Sequence, residues 1–202
     1  MRRVSLREAA DALNDGLVVV VPTDTVYGVA ARLVDPGAVA QLFSVKSRPP
    51  DVALPVLVSS LAQVASLGVE WSDDAQRLAE RFWPGALTII VGADPEVATR
   101  VGATNTLGLR WARHDVTQSL IDECGPLAVT SANEHGRPPC TSADEVLATR
   151  WAAPVEGVLD AGRCEGAVSS VVELTGRGWR LRRAGAVAVA EVASVLGPES
   201  ST

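Results

Sequence analysis

The sequence predicts an α/β fold with a mixed sheet, on three observations. Residues Leu17–Val21 are an unbroken apolar run rich in valine that stops at Pro22, the pattern of a strand buried on both faces. Similar short apolar runs alternate along the chain with amphipathic segments bounded by Ser, Asp, Gly and Pro, as strands alternate with helices. Late in the chain, Val158–Asp160, Val171–Leu174 and Arg180–Arg183 follow at hairpin-like spacing, which makes the sheet mixed.

Taken in order, Ser5 and Glu8 form a capping box, and Leu6, Ala9, Ala10 and Leu13 keep one helical face apolar until Gly16. After the strand Leu17–Val21, the segment Thr23–Gly28 gathers three hydroxyls and a carboxylate, as expected of a binding loop at a strand's carboxyl end. Asp35-Pro36 starts a helix carrying Val39, Leu42 and Phe43, which must stop before Pro49. Lys46 and Arg48 therefore sit at its C-terminal end, ahead of a strand at Leu54–Val58. Ser59 or Ser60 caps a short helix through Leu67. A longer helix, capped at Ser72–Asp74, ends at the Trp83-Pro84-Gly85 turn. Strands follow at Leu87–Val91 and, after a loop, at Leu107–Arg110. Asp115 opens a helix that Gly125 closes, and the strand Leu127–Thr130 exits into Ser131-Ala132-Asn133. Ser142 and Glu145 make a second capping box, and a closing helix spans Glu191–Leu196. One domain is expected over residues 1–197, with a polar tail at 198–202.

Composition narrows the function. At 202 residues with 47% hydrophobic content the chain can bury one core. No apolar run reaches the roughly 18 residues of a membrane span, and the N-terminus lacks a signal peptide's apolar region, so a soluble cytoplasmic protein is expected. The three cysteines are read as free thiols, and with only two histidines neither a metal site nor a His-based triad is expected. A net charge of −6 argues against a broad nucleic-acid surface. Of the 18 basic residues only Lys46 is a lysine, which hints at a need for a compact ammonium there.

Three polar exits, Thr23–Gly28, Ser131–Asn133 and Gly166–Ser170, meet four cations beside strand ends: Lys46, Arg48, Arg110 and Arg183. Hydroxyls and backbone N–H groups beside Lys and Arg are what a polyphosphate needs. Neither a Walker loop nor a GxGxxG fingerprint occurs, so spacing alone leads to an α/β protein with an anion-binding cleft.

Seven ordered motifs add a resemblance. They are PTDTVYG (22–28), KSRP (46–49), FWPGALT (82–88), LGLR…H (107–114), TSANEHGRPPCT (130–141), SSVVELTG (169–176) and LRRAGAV (181–187). Together they resemble the YrdC family of threonylcarbamoyl-AMP synthases, which begin the t6A modification of tRNA. The resemblance implies a single-domain, strongly twisted mixed sheet with flanking helices and a concave cationic cleft. It implies condensation of L-threonine, bicarbonate or CO2 and ATP, with Mg2+ accompanying the ATP. The product would pass to the tRNA threonylcarbamoyl-transfer machinery. By residue, Thr25, Arg110 and Ser169 would hold threonine, and Lys46 and Arg48 would face the phosphates or the nascent carbamate. Arg48, Thr106, Ser131, Asn133, Pro139 and Arg183 would take the nucleotide. Tyr27 would shape the pocket without reacting. Val52, Leu57 and Val168 stand where the family commonly has Lys, His and Glu. Two alternatives stay open: an RNA-binding protein using the same surface, and a carbamoyl-transfer domain of hydrogenase-maturation type. The negative charge weighs against the first. No acylphosphatase-like or zinc-finger module is recognisable to support the second.

Overall fold

The computed structural model describes residues 1–46, 52–134, 136–176 and 178–200. Among the described residues the chain first forms β1 (Arg2–Val4), α1 (Leu6–Asn14), β2 (Val19–Val21), β3 (Gly28–Arg32), α2 (Pro36–Lys46) and β4 (Val56–Leu57). Then come α3 (Leu61–Ser66), α4 (Asp73–Phe82), β5 (Leu87–Gly92), α5 (Pro95–Arg100), β6 (Thr106–Arg110) and α6 (Asp115–Cys124). The last elements are β7 (Leu127–Ser131), α7 (Ala143–Ala148), β8 (Gly157–Leu159), β9 (Ser170–Gly176), β10 (Gly178–Arg183) and α8 (Val189–Leu196).

The strands join one sheet in the order β1-β8-β2-β3-β7-β4-β6-β5-β9-β10. It is mixed, as expected: β2 runs parallel to β8, β4 to β6 and β5 to β9, while β2–β3, β3–β7, β5–β6 and β9–β10 are antiparallel. The apolar run at β2 is buried on both faces. Val18 and Val20 pack with Ala38, Leu42, Leu78 and Val192 in one core cluster. Val19 and Val21 pack with Ala9, Leu13, Leu120 and Ile121 in the other. Helices therefore cover the sheet on two sides, α2, α4 and α8 on the first and α1 and α6 on the second.

Local signals mostly survive. Ser5 Oγ accepts from Glu8 N while the Glu8 carboxylate accepts from Ser5 N at 2.8 Å, so the capping box at α1 is complete. At α7 the reach is one residue longer: Glu145 accepts from the Thr141 backbone N–H at 2.6 Å, so Ser142 caps the helix and Glu145 fastens the residue before it. Asp35 accepts from Ala38 N at 3.0 Å at the start of α2.

Three elements escape the sequence reading. Edge strand β1 has a three-residue pattern too short to show a period. Helix α5 lies where a loop is expected, although Asp94-Pro95 is the same Asp-Pro start that marks α2, and Asp94 accepts from Glu96 N. Strand β3 was hidden by the polar segment before it. That segment is the turn of an antiparallel β2–β3 pair, with Gly28 opposite Ser131 on the other neighbour, β7.

Candidate active site

A cavity of about 250 Å³ lies over the middle of the sheet. Its floor follows from a period of two. On β6, Thr106, Gly108 and Arg110 face the cavity, while Leu107 and Leu109 between them belong to the core. On β5, Thr88 and Ile90 face it, and Leu87, Ile89 and Val91 are core. The site thus spreads across a sheet face and is not confined to one edge. In this mixed sheet, strand ends and strand middles are brought side by side by antiparallel neighbours. Gly28 lets β3 lie close against Val129 on β7, since a Cβ there would meet Val129 Cγ2 at 2.6 Å.

Six residues expected in the site line this cavity: Thr25, Thr106, Ser131, Ser169, Arg110 and Arg183. The lining among the described residues carries two arginines and no carboxylate. Leu57 and Val168 add apolar wall.

Arg110, 7% exposed, is held on three sides. Its Nε donates to Gly85 O at 3.0 Å, Nη1 to Thr25 Oγ1 at 3.0 Å and Nη2 to Asp24 Oδ1 at 2.6 Å. Burial pushes its pKa down, against the opposing pull of Asp24. Asp24 also accepts from Arg113 N at 3.1 Å. The Trp83-Pro84-Gly85 turn, read from sequence as a fold-defining break, therefore also supplies a carbonyl that aims Arg110. One N–H on each terminal nitrogen remains for a ligand, a fork suited to a carboxylate.

On the opposite wall, Arg183 donates from Nε and Nη2 to Ser169 O at 3.0 and 2.8 Å, and from Nη2 to Ser169 Oγ at 2.9 Å. Ser169 Oγ lies 3.0 Å from Thr88 Oγ1. Ser169 already accepts from Arg183, so the two hydroxyls share one bond and retain one O–H to donate elsewhere. Thr88 was missed as a site residue, although its place in the alternating run Leu87–Val91 carries the signal. Ser169 is fixed from below, where Ser170 Oγ donates to Val187 O at 2.6 Å and Ala186 N donates to Val168 O at 2.9 Å. Gly185 permits this approach, because a Cβ there would overlap the backbone of Val168–Ser170. Gly185→Ala is expected to cost about 1–3 kcal/mol, read as a lower denaturant midpoint, and to weaken ligand binding through Ser169.

Lys46, Asn133 and Pro139 do not line the cavity. Lys46 is 6% exposed, and its Nζ donates to Asn133 O at 2.6 Å and to Asn133 Oδ1 at 2.5 Å. Ser131 Oγ donates to the same Oδ1 at 2.7 Å, so the ammonium is tied to the cavity rim through Asn133. Pro139 lies in the loop closed by Cys140 N donating to Ala132 O and Tyr27 N donating to Cys140 O. Arg48 lies outside the described residues. Tyr27 is fully buried, donates to Gly162 O at 2.6 Å, and is pushed up to about 12 by burial, which suits a structural role. The three cysteines are free and buried.

His114 stands at the N-cap of α6 without a side-chain capping bond, and its buried Nδ1 has no partner. Burial pushes its pKa below the ordinary value, against Asp24 and Asp115. The unfolded chain therefore binds more protons in the window just below about 6.5, and stability falls as pH drops through that window. A thermal midpoint measured from pH 7 to 5.5 should decline, and His114→Gln should flatten that part of the decline.

Comparison with known proteins places this geometry. The sequence profile of the Sua5/YciO/YrdC family, described as telomere recombination, matches residues 11–185. A Mycobacterium tuberculosis relative is 40% identical over 196 residues, which covers 96% of this chain and 90% of that protein. The threonylcarbamoyl-AMP synthase of Pyrococcus abyssi is 36% identical over 196 residues, 95% of this chain and 57% of that protein. The crystal structure of P. abyssi Sua5 complexed with L-threonine matches with a TM-score of 0.90 at 34% identity, over 95% of this chain and 57% of that one.

Proposed function

The chain belongs to the Sua5/YciO/YrdC family, and from that premise we propose that it is a threonylcarbamoyl-AMP synthase. It joins L-threonine, bicarbonate or CO2 and ATP into threonylcarbamoyl-AMP, releasing pyrophosphate. The observation that carries this reading is a single cavity holding Thr25, Arg110 and Ser169 together with Thr106, Ser131 and Arg183. A threonine complex of a relative with the same fold supports it.

The amine nitrogen of threonine forms a bond to the carbon of CO2 and loses a proton to solvent. An oxygen of the resulting carbamate then bonds to the α-phosphorus in line as the bond to the β-phosphate oxygen breaks. Such a reaction asks mainly for positioning and charge neutralisation. Arg110 takes the threonine carboxylate, which keeps that carboxylate from competing with the carbamate as nucleophile. The Thr88–Ser169 pair donates its remaining O–H to a ligand oxygen, and Arg183 sets that pair. Thr106, Ser131, Asn133, Pro139 and Arg183 form the nucleotide side, with Lys46 and Arg48 neutralising phosphate or carbamate charge. Within the cavity lining, Arg110 and Arg183 carry the positive charge. Mg2+ enters with ATP as part of the substrate and is carried by the phosphates. Among the described residues no group of three His, Cys, Asp or Glu could hold it, and no helix is long and apolar enough to cross a membrane. The product is handed to the tRNA threonylcarbamoyl-transfer machinery in the cytoplasm.

Incubation with ATP, Mg2+, bicarbonate and threonine should release pyrophosphate only when threonine is present. Release that is absent, or independent of threonine, contradicts the proposal.

A further inference from the structure

The sheet face beneath the cavity carries its positive charge at one end. Thr88 pairs with Val171 on β9, Val171 pairs with Arg183 on β10, and Thr88 stands level with Arg110, one step beyond the Ile89–Leu109 pair. Both arginines of the lining among the described residues therefore share one row across the strands. Thr106 lines the other end of β6, about 14 Å from Arg110 at the rise of an extended strand, and pairs with Gly92 on β5. Gly92 has no side chain, and the Glu70 carboxylate fills the place of one: a Cβ on Gly92 would lie 2.6 Å from its carboxyl carbon. The main chain builds this seat, with Glu70 N donating to Gly92 O at 2.8 Å and Val69 bridging to Ala93. Opposed residues of an antiparallel pair keep their Cβ atoms about 4.5–5.5 Å apart. The carboxylate therefore stands beside Thr106, at the end of the cavity away from Arg110. Among the described residues no hydrogen bond or ion pair engages it. Glu173, which pairs with Ile90 on the same face, is by contrast engaged by Arg182 and Thr175.

We propose that Glu70 is a specificity-determining residue that accepts hydrogen bonds from the ribose hydroxyls of the bound nucleotide. The inference rests on the adenylate-forming reading of the cavity and deepens it. A carboxylate repels phosphate and attracts neutral O–H donors. The anionic parts of the ligand therefore belong with Arg110 and Arg183, and its uncharged, hydroxyl-bearing part belongs with Glu70. Reach agrees with this order. From the threonine carboxylate to ribose C3′ the adenylate counts about nine bonds, and a chain advancing about 3.5 Å per three bonds covers roughly 10 Å in that length. One hydrogen bond at each end closes the remaining distance between the Arg110 and Thr106 rows. The two carboxylate oxygens can take both vicinal hydroxyls at once.

The test measures calorimetric binding of ATP, 2′,3′-dideoxy-ATP and the purine riboside triphosphate that lacks the 6-amino group, at saturating Mg2+ and without threonine. The wild type should bind ATP at least about tenfold tighter than the dideoxy analogue. Glu70 is exposed, so Glu70→Ala keeps the fold. It should bring ATP to within about twofold of the dideoxy analogue and leave the analogue itself unchanged. Gly92→Ala, whose Cβ displaces the carboxylate, should reproduce that pattern. In turnover, KM for ATP should rise in Glu70→Ala while KM for threonine stays constant. Equal weakening of ATP and the dideoxy analogue overturns the inference, and a raised Mg2+ requirement alongside it would make Glu70 a metal ligand. Discrimination lost against the purine analogue alone would place the base at Glu70 and also overturn it. So would a wild type that binds the dideoxy analogue as tightly as ATP. The expected pattern in a protein that releases no threonine-dependent pyrophosphate supports the ribose contact and fails the synthase reading. A wild type that binds no ATP fails both.

Discussion

Arg110→Ala is expected to lose threonine-dependent turnover and stability together. The side chain is buried against Asp24, whose own side chain is 14% exposed, in a 2.6 Å ion pair. Removing the arginine leaves the Asp24 carboxylate accepting from the Arg113 backbone N–H with no cation opposite it in the pair. Breaking a buried pair in this way costs about 3–5 kcal/mol. Loss of the fork that holds the substrate carboxylate costs a further 2–5 kcal/mol or so of binding, so turnover at low threonine should drop at least about tenfold. Arg110→Lys separates the two effects, because it keeps the charge opposite Asp24 and loses the planar fork. Its unfolding midpoint should lie close to that of the wild type, with KM for threonine still raised. A double variant, Asp24→Asn with Arg110→Ala, should recover part of the lost stability and none of the activity, as read from a double-mutant cycle.

Lys46→Met should separate stability from activity. A buried ammonium pays a desolvation penalty that an apolar side chain of similar length avoids. The relieved penalty is set against the two bonds lost at Asn133, so the expected thermal midpoint stays close to the wild type. Turnover should still fall at least about tenfold, since the Lys46 ammonium is then lost from beside Asn133. Lys46→Arg should not rescue it. The ammonium sits at 2.5–2.6 Å from two oxygens of one residue, and a planar guanidinium does not fit where a compact charge does. Rescue by arginine would show that charge alone matters there.

The fold class was legible because β2 and its neighbours are buried on two faces, which an unbroken valine run announces. The missing elements lacked such a signal. Edge strand β1 is too short for a period, and β3 follows a polar turn whose residues are buried by the site they build. At the site, the residue types and the motif order pointed to the participants, and six of them line one cavity. Their hydrogen-bond polarity was not legible, because donor and acceptor roles depend on partners distant in sequence. Arg110 meets Gly85 and Asp24, and Ser169 meets Thr88 and Arg183. Asp24 and Thr88 take their roles from those distant partners. Thr88, Ile90 and Gly108 could have been found from the alternation in LTIIV and TLGLR alone, since every second residue there is kept out of the core.

In the proposed reaction the carbamate, and not the threonine carboxylate, is adenylated in this cavity. Mass spectrometry of the product formed with 13C-bicarbonate tests it most directly. The expected adenylate contains both threonine and one 13C atom, and it disappears when bicarbonate is withheld. An unlabelled threonyl-adenylate formed without bicarbonate would contradict the account, because Arg110 would then have failed to keep the carboxylate from the α-phosphate.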